Sequence, residues 1–214
     1  DEDPASRHIH TDGRLKLNKM NRQLFFHEIN QTLFHGKMND SQQDGIVHKL
    51  TAFDKFGITD NRWQAYMLAT SYHETAKTMQ PVEEIGKGRG KPYGKKLKCN
   101  RKPYTWPDKL YYGRGDVQLT WYENYEKMGI LLNLPLLEHP EMALEPEISA
   151  QILVEGMTRG KSNRGDFTGV SLETYFNSRN NDPVHARKIV NGLDQANKIA
   201  GYHHQFLNAI IIAS

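Results

Sequence analysis

Between residues 85 and 118, six glycines (86, 88, 90, 94, 113, 115) and three prolines (92, 103, 107) interrupt a chain whose apolar residues otherwise recur at helical spacing. No long helix survives that density of breakers. Tyr104, Trp106, Tyr111, Tyr112, Val117 and Leu119, within or just beyond the same stretch, favour extended backbone. The pattern predicts a mainly α fold: a helical bundle, a small β-hairpin lobe inserted into it, and a groove where the two meet. The chain of 214 residues is long enough for one domain with a real core. Residues 1–19 hold four acids, four bases, a proline and two histidines without apolar periodicity, and are expected to be a peripheral tail or linker. Residues 20–214 are expected to form the folded unit.

The helical segments read as follows. Phe25, Phe26, Ile29 and Leu33 share one face of a helix over 21–34. Ser41 reads as the N-cap of the next, which carries Ile46, Val47, Leu50 and Phe53 and stops at Gly57. Asp60 caps a third, running to about Thr78 before Pro81. Thr120 and Glu123 have capping-box spacing for a helix ending at Gly129. Further helices are expected over 146–157, 172–177, 183–191 and 195–213, with Asp182 and Asp194 as N-caps.

The third helix carries the most informative residue. Trp63, Met67, Thr70 and Glu74 recur on one stripe: eleven residues at about 100° each bring Glu74 to within about 20° of Trp63. A carboxyl group on an apolar stripe is desolvated, and near a helix C-terminus the dipole opposes its ionisation, the two conditions that suit a general acid. Cleavage of a glycosidic bond needs a second carboxylate across it. Glu83 and Glu84, just beyond Pro81 at the entry to the lobe, are the candidates. Within Tyr111-Tyr112-Gly113-Arg114-Gly115-Asp116-Val117-Gln118-Leu119-Thr120-Trp121, glycines on either side of Arg114 allow tight turns. Gln118 offers amide donors and an acceptor to a sugar, and Thr120, alternating with it along a strand, could position a water if it is not simply a cap. Asn124 follows one helical turn later. Arg114 reads as a structural pin of the lobe, and Trp106 as the tryptophan best placed to stack on a sugar.

Together with Ile189-Val190-Asn191-Gly192, the His73-Glu74-Thr75 and 111–125 motifs resemble glycoside hydrolase family 19, the chitinase-like family. Met20-Asn21-Arg22, Met79 to Glu84, Phe167-Thr168-Gly169 and Ala186-Arg187-Lys188-Ile189 resemble its bacteriophage endolysin branch more than its plant chitinases, and the likeness spans about residues 20–210. It implies a lysozyme-like α+β fold, Glu74 as general acid, and a second carboxylate as the base of an inverting reaction, for which Glu83 is preferred to Glu84. It further implies Gln118 and Thr120 holding sugar and water, and a substrate site that also includes His73, Glu84, Tyr112, Trp106, Asn124 and Asn191. His73 would orient the acid. Lys198 or a neighbour stands nearest the family's groove arginine. The expected activity is hydrolysis of β-1,4 bonds in bacterial peptidoglycan, as in an endolysin or lysozyme; the alternatives are a chitinase and a non-catalytic cell-wall glycan-binding module.

No cofactor and no metal are expected: His73-Glu74 begins the zinc-protease pattern, but position 77 is Lys where that pattern needs His, and His203-His204 reads as partly exposed surface. Net charge is +3, yet residues 87–102 alone hold eight basic residues and no acid, which leaves −5 for the rest. That strip is expected to meet an anionic cell envelope. With only Tyr93 to stack a base it gives no case for nucleic acid. Cys99, the single cysteine, excludes an internal disulfide; the basic strip around it would lower its thiol pKa, but it lacks a histidine partner. Mean hydropathy is −0.72 and no apolar run nears the roughly 18 residues of a membrane span. The start, Asp1-Glu2-Asp3-Pro4, lacks signal-peptide pattern. A monomer made in the cytoplasm and acting at the bacterial wall or periplasm after release is therefore expected, or a secreted form if a signal has been removed.

Overall fold

A computed structural model describes residues 20–214; the expected tail, 1–19, lies outside the described residues. Helix α1 (Arg22–Thr32) is capped by Asn21, whose side chain accepts from the Leu24 N–H at 3.0 Å, and it buries Phe25, Phe26 and Ile29. Helix α2 (Asp40–Lys55) starts two residues earlier than expected. Its cap is Asn39, in a reciprocal box with Gln42, so Ser41 already lies inside the helix. Helix α3 (Asn61–Glu74) is capped by Asp60 as expected, but stops four residues short of Thr78. Ala76, Lys77 and Met79 take positive φ and turn the chain away, so Glu74 becomes the last helical residue.

Helix α3 is the axis of the body. Ala65 to Tyr72 are all buried, so the helix is covered on every side and not along one stripe. It packs against α7 (Ala196–Ala213) on one side and against α2 and α5 (Pro146–Met157) on others. Helix α1 also packs on α7, and the Asn21 N–H donates to the Ala213 carbonyl at 2.8 Å, tying the two ends of the described chain together. Buried residues from Phe25 to Ala213 form one continuous core.

The lobe is less regular than expected. Strands β1 (Val82–Glu83) and β2 (Arg114–Gly115) are two residues each and antiparallel, with Val82 opposite Gly115 and Glu83 opposite Arg114. Between them the chain turns repeatedly through positive φ at Gly86, Lys87, Gly88, Gly90, Lys96 and Arg101. The aromatics expected to favour strands pack instead as a cluster: Tyr104 stacks on Tyr122 with centroids 5.0 Å apart, and Tyr111 lies 5.1 Å from Tyr125.

Helix α4 (Tyr122–Leu132) lacks the expected capping box. Thr120 donates to the Gln118 carbonyl, and Glu123 accepts from the Cys99 N–H at 3.0 Å, so both side chains tie the lobe instead. The helix runs past Gly129 to a left-handed Asn133. Helix α6 (Leu172–Tyr175) and a 3₁₀ turn at His185–Ile189 are shorter than expected, and α7 is preceded by a left-handed Gln195 and not by an Asp194 cap.

A buried ion pair fastens lobe to body. Lys49 of α2 and Asp116, just after β2, meet at 2.7 Å with both side chains shielded from water. Each remaining valence is met. The Lys49 ammonium also donates to the Gly45 and Met79 carbonyls (3.1 and 2.9 Å), and Asp116 accepts from Ser71 of α3 at 2.6 Å and from Ser149 of α5. Gly115, at φ 97°, must be glycine here, because a Cβ would lie 3.0 Å from both the Ala143 carbonyl and the Ser149 hydroxyl. Removing one partner of such a pair strands the other charge. Lys49→Met is expected to cost about 3–5 kcal/mol in urea unfolding, far more than an exposed Lys→Met change.

Candidate active site

Glu74 emerges from the end of α3 onto a ledge where its side chain is 20% exposed, so it is not fully enclosed as its stripe position predicted. Its partner is Arg187, from the 3₁₀ turn after α6, whose Nη1 donates to Oε1 at 2.7 Å. Arg187 is itself buried, and its Nε donates to the Asp194 carbonyl at 2.9 Å. The guanidinium is therefore fixed before it meets the acid. His73 does not hold the carboxyl, as was expected of it. Burial is the main influence on its imidazole, and with Arg187 and Lys198 nearby it lowers the pKa against the opposing pull of Glu74, which favours the neutral ring.

The two lobe carboxylates have separate fates. Glu84 accepts from the Gly88 N–H and the Tyr93 hydroxyl, both at 2.7 Å, and from the Gly113 N–H at 3.4 Å. It is a clasp across the glycine-rich loop, which removes it as an open base or sugar ligand. Glu83 is the open acid, 35% exposed, and among the described residues its side chain pairs only with the surface cation Lys87, at 3.1 Å. That pair raises the pKa of Lys87, by hydrogen bond first and charge second.

Gln118 is not in a strand: its φ is 56°, at the turn that follows β2. Its amide donates to the Val82 carbonyl of β1 at 2.8 Å and to the Gly115 carbonyl at 3.2 Å, while Gly113 leaves room for its Oε1, 2.6 Å from where a Cβ would stand. Gln118 thus braces the strand that carries Glu83. Asn124 donates to the Thr120 carbonyl at 2.9 Å. The Tyr112 ring is buried beneath the Arg114 guanidinium, 3.8 Å away, and Arg114 donates to the Leu110 carbonyl and the Tyr125 hydroxyl, so the expected pin is present. Tyr112 is therefore a packing residue. Asn191 is exposed and its side chain accepts from the Gly192 N–H, closing the turn beyond Arg187 and not reaching the acids. Trp106 is 58% exposed on the lobe, as a stacking ring requires. Among the described residues no cluster of three or more His, Cys, Asp or Glu side chains could hold a metal, and no helix is long and apolar enough to cross a membrane.

No family model matches the chain. The class IV chitinase of Zea mays, from family GH19, superposes with a TM-score of 0.56 over 87% of this chain and 90% of that one, at 18% identity. The fold is that of a family 19 chitinase. An endochitinase of Arabidopsis thaliana is 37% identical over 111 residues, 51% of this chain and 37% of that protein. The inactive chitinase-like protein 1 of Hevea brasiliensis is 50% identical over 111 residues, 46% of this chain and 35% of its own length. The chain spans less than half the length of such curated relatives.

Within this chitinase fold, sequence reasoning missed Arg187 as the partner of Glu74 and looked to Lys198, which is exposed on α7. Nothing in the sequence separates Arg187 from its neighbour Lys188; only the fold buries the first and leaves the second exposed. Cys99 also departs from expectation. Partial desolvation and the Glu123 carboxylate push its thiol up to about 11, in spite of the basic strip. Alkylation of Cys99 by iodoacetamide at pH 8 is expected to run roughly 100-fold slower than that of a free cysteine, and to accelerate in Glu123→Gln.

Proposed function

We propose that this chain hydrolyses β-1,4 bonds in glycans built on N-acetylglucosamine, by inverting acid–base catalysis without a cofactor. Glu74 is the general acid and Glu83 the base that activates water. The observation that carries this reading is the division of labour among three carboxylates. Glu74 is held at a rigid helix end by a buried arginine, Glu84 is consumed by the loop, and Glu83 alone stays open on a braced strand.

Glu74 gives its proton to the leaving oxygen, and Arg187, fixed 2.7 Å away, stabilises the carboxylate that remains. Lys87 lies in water and its contact with Glu83 opens readily, freeing that carboxylate to take a proton from water. Thr120, whose proton is committed to the Gln118 carbonyl, keeps its oxygen free to accept from a water. Trp106 offers an exposed ring face to a sugar.

Two substrates share this chemistry. The likeness to a named endochitinase favours chitin. The basic strip favours the anionic peptidoglycan of an endolysin's target, because seven of its eight cations are exposed. On this second reading the protein acts at the bacterial wall. Turnover of chitin oligomers against purified peptidoglycan separates the two.

Glu74→Gln and Glu83→Gln are each expected to lower kcat by roughly 10²–10⁴-fold on the preferred substrate, with glycan binding retained. Formate is expected to restore part of the activity of Glu83→Ala and none of that of Glu74→Ala. Undiminished cell-wall effects in Glu74→Gln would replace this reading with a non-catalytic glycan-binding module.

A further inference from the structure

Away from Glu74 and Arg187, two acids lie buried where α5 ends. Glu155 is wholly enclosed and Asp166 is 6% exposed. The segment that joins them folds back over the end of α5, close enough for the Asp166 charge to act on Glu155: the Phe167 ring lies against Gly156, where a Cβ would come within 2.0 Å of it, and Gly160 crosses over Glu155 so closely that a Cβ there would meet Oε2 at 2.2 Å. One of the four carboxylate oxygens is satisfied, Glu155 Oε1, which accepts from the Lys161 N–H at 2.8 Å. Glu155 Oε2 and both oxygens of Asp166 have no hydrogen-bond partner among the described residues. The Lys127 ammonium donates at 3.0 Å to the Asp166 main-chain carbonyl and not to its carboxylate.

Buried carboxylates are normally paired, hydrogen-bonded or bound to metal, and each unsatisfied one calls for an explanation. Burial and the neighbouring Asp166 raise the pKa of Glu155, and they outweigh the opposing pull of the Lys161 and Ser162 N–H groups and the Lys161 charge. We propose that Glu155 and Asp166 are the two charged ligands of a calcium-type divalent cation site that fastens the 158–166 segment to the end of α5. All the side-chain donors are hard oxygens. With only two carboxylates, the remaining positions fall to main-chain carbonyls and water, a set that Ca²⁺ accepts and Zn²⁺ does not. The site shares no residue with Glu74, Glu83 or the side chains that hold them, so it stands or falls independently of the catalytic reading.

The test is calorimetric titration of Ca²⁺ into the chelator-treated full chain, paired with thermal unfolding. One ion is expected to bind per chain, with Tm rising by roughly 5–10 °C at a hundredfold excess over Kd. Glu155→Gln and Asp166→Asn should each abolish both responses. No binding heat and no change in Tm up to about 10 mM Ca²⁺, beyond the range of weak extracellular sites, would overturn the proposal. So would a Ca²⁺ response that survives in both variants, or a stability that rises on acidification towards pH 5 and ignores Ca²⁺, which would mean a proton shared by the two acids.

Discussion

The contact between Lys49 and Asp116 sets the rest of the site. Asp116 sits one residue beyond β2, and Ser71, which donates to it, sits one residue short of a full turn before Glu74. Through that single carboxylate the helix that ends in the acid is fastened to the strand opposite Glu83. The Lys49 ammonium also holds the Met79 carbonyl, in the segment that carries the chain from α3 to β1. An ion pair this deep adds little net stability against a well-packed apolar alternative. Here it gives registry: two charges and two hydroxyls have one arrangement in which every valence is met, and in it the two lobes cannot slide.

Around that fastening the lobe is held by specific polar contacts more than by sheet. Two residues per strand give little pairing, so Glu84 gathers the glycine-rich turns, Gln118 braces β1, and Arg114 pins Tyr112 and Tyr125. Such a lobe presents Glu83 on a stiff mount while leaving the basic residues 87–102 mostly in water. Glu74 is mounted differently. It rides on a helix whose preceding two turns, Ala65 to Tyr72, are buried throughout, and its arginine comes from a turn fixed by main-chain bonds at both ends.

Much of this was legible in the sequence where one residue type had one physical option. Asp60 before an apolar helix could only be a cap, and Gly/Pro density at 85–118 could only break helices. What failed depended on partners distant in sequence. Thr120 and Glu123 have the spacing of a capping box, yet the Gln118 carbonyl and the Cys99 N–H compete for them and win. Glu84 looked as available as Glu83 until Tyr93 and Gly88 reached it. Glu74 looked desolvated because periodicity shows that a face is covered but not where the helix stops, and the left-handed turn at Ala76 brings it to the surface. Arg187, 113 residues away from the acid, was quoted only as part of a motif.

The central claim is that Glu74 and an opposing base cleave a β-1,4 bond with inversion. Proton NMR of a chitin oligomer digest, or of a glycan fragment released from peptidoglycan, reads the anomeric form of the new reducing end before it mutarotates. The account predicts that the α-anomer appears first. Initial release of the β-anomer, or no new reducing end from either glycan, would contradict it.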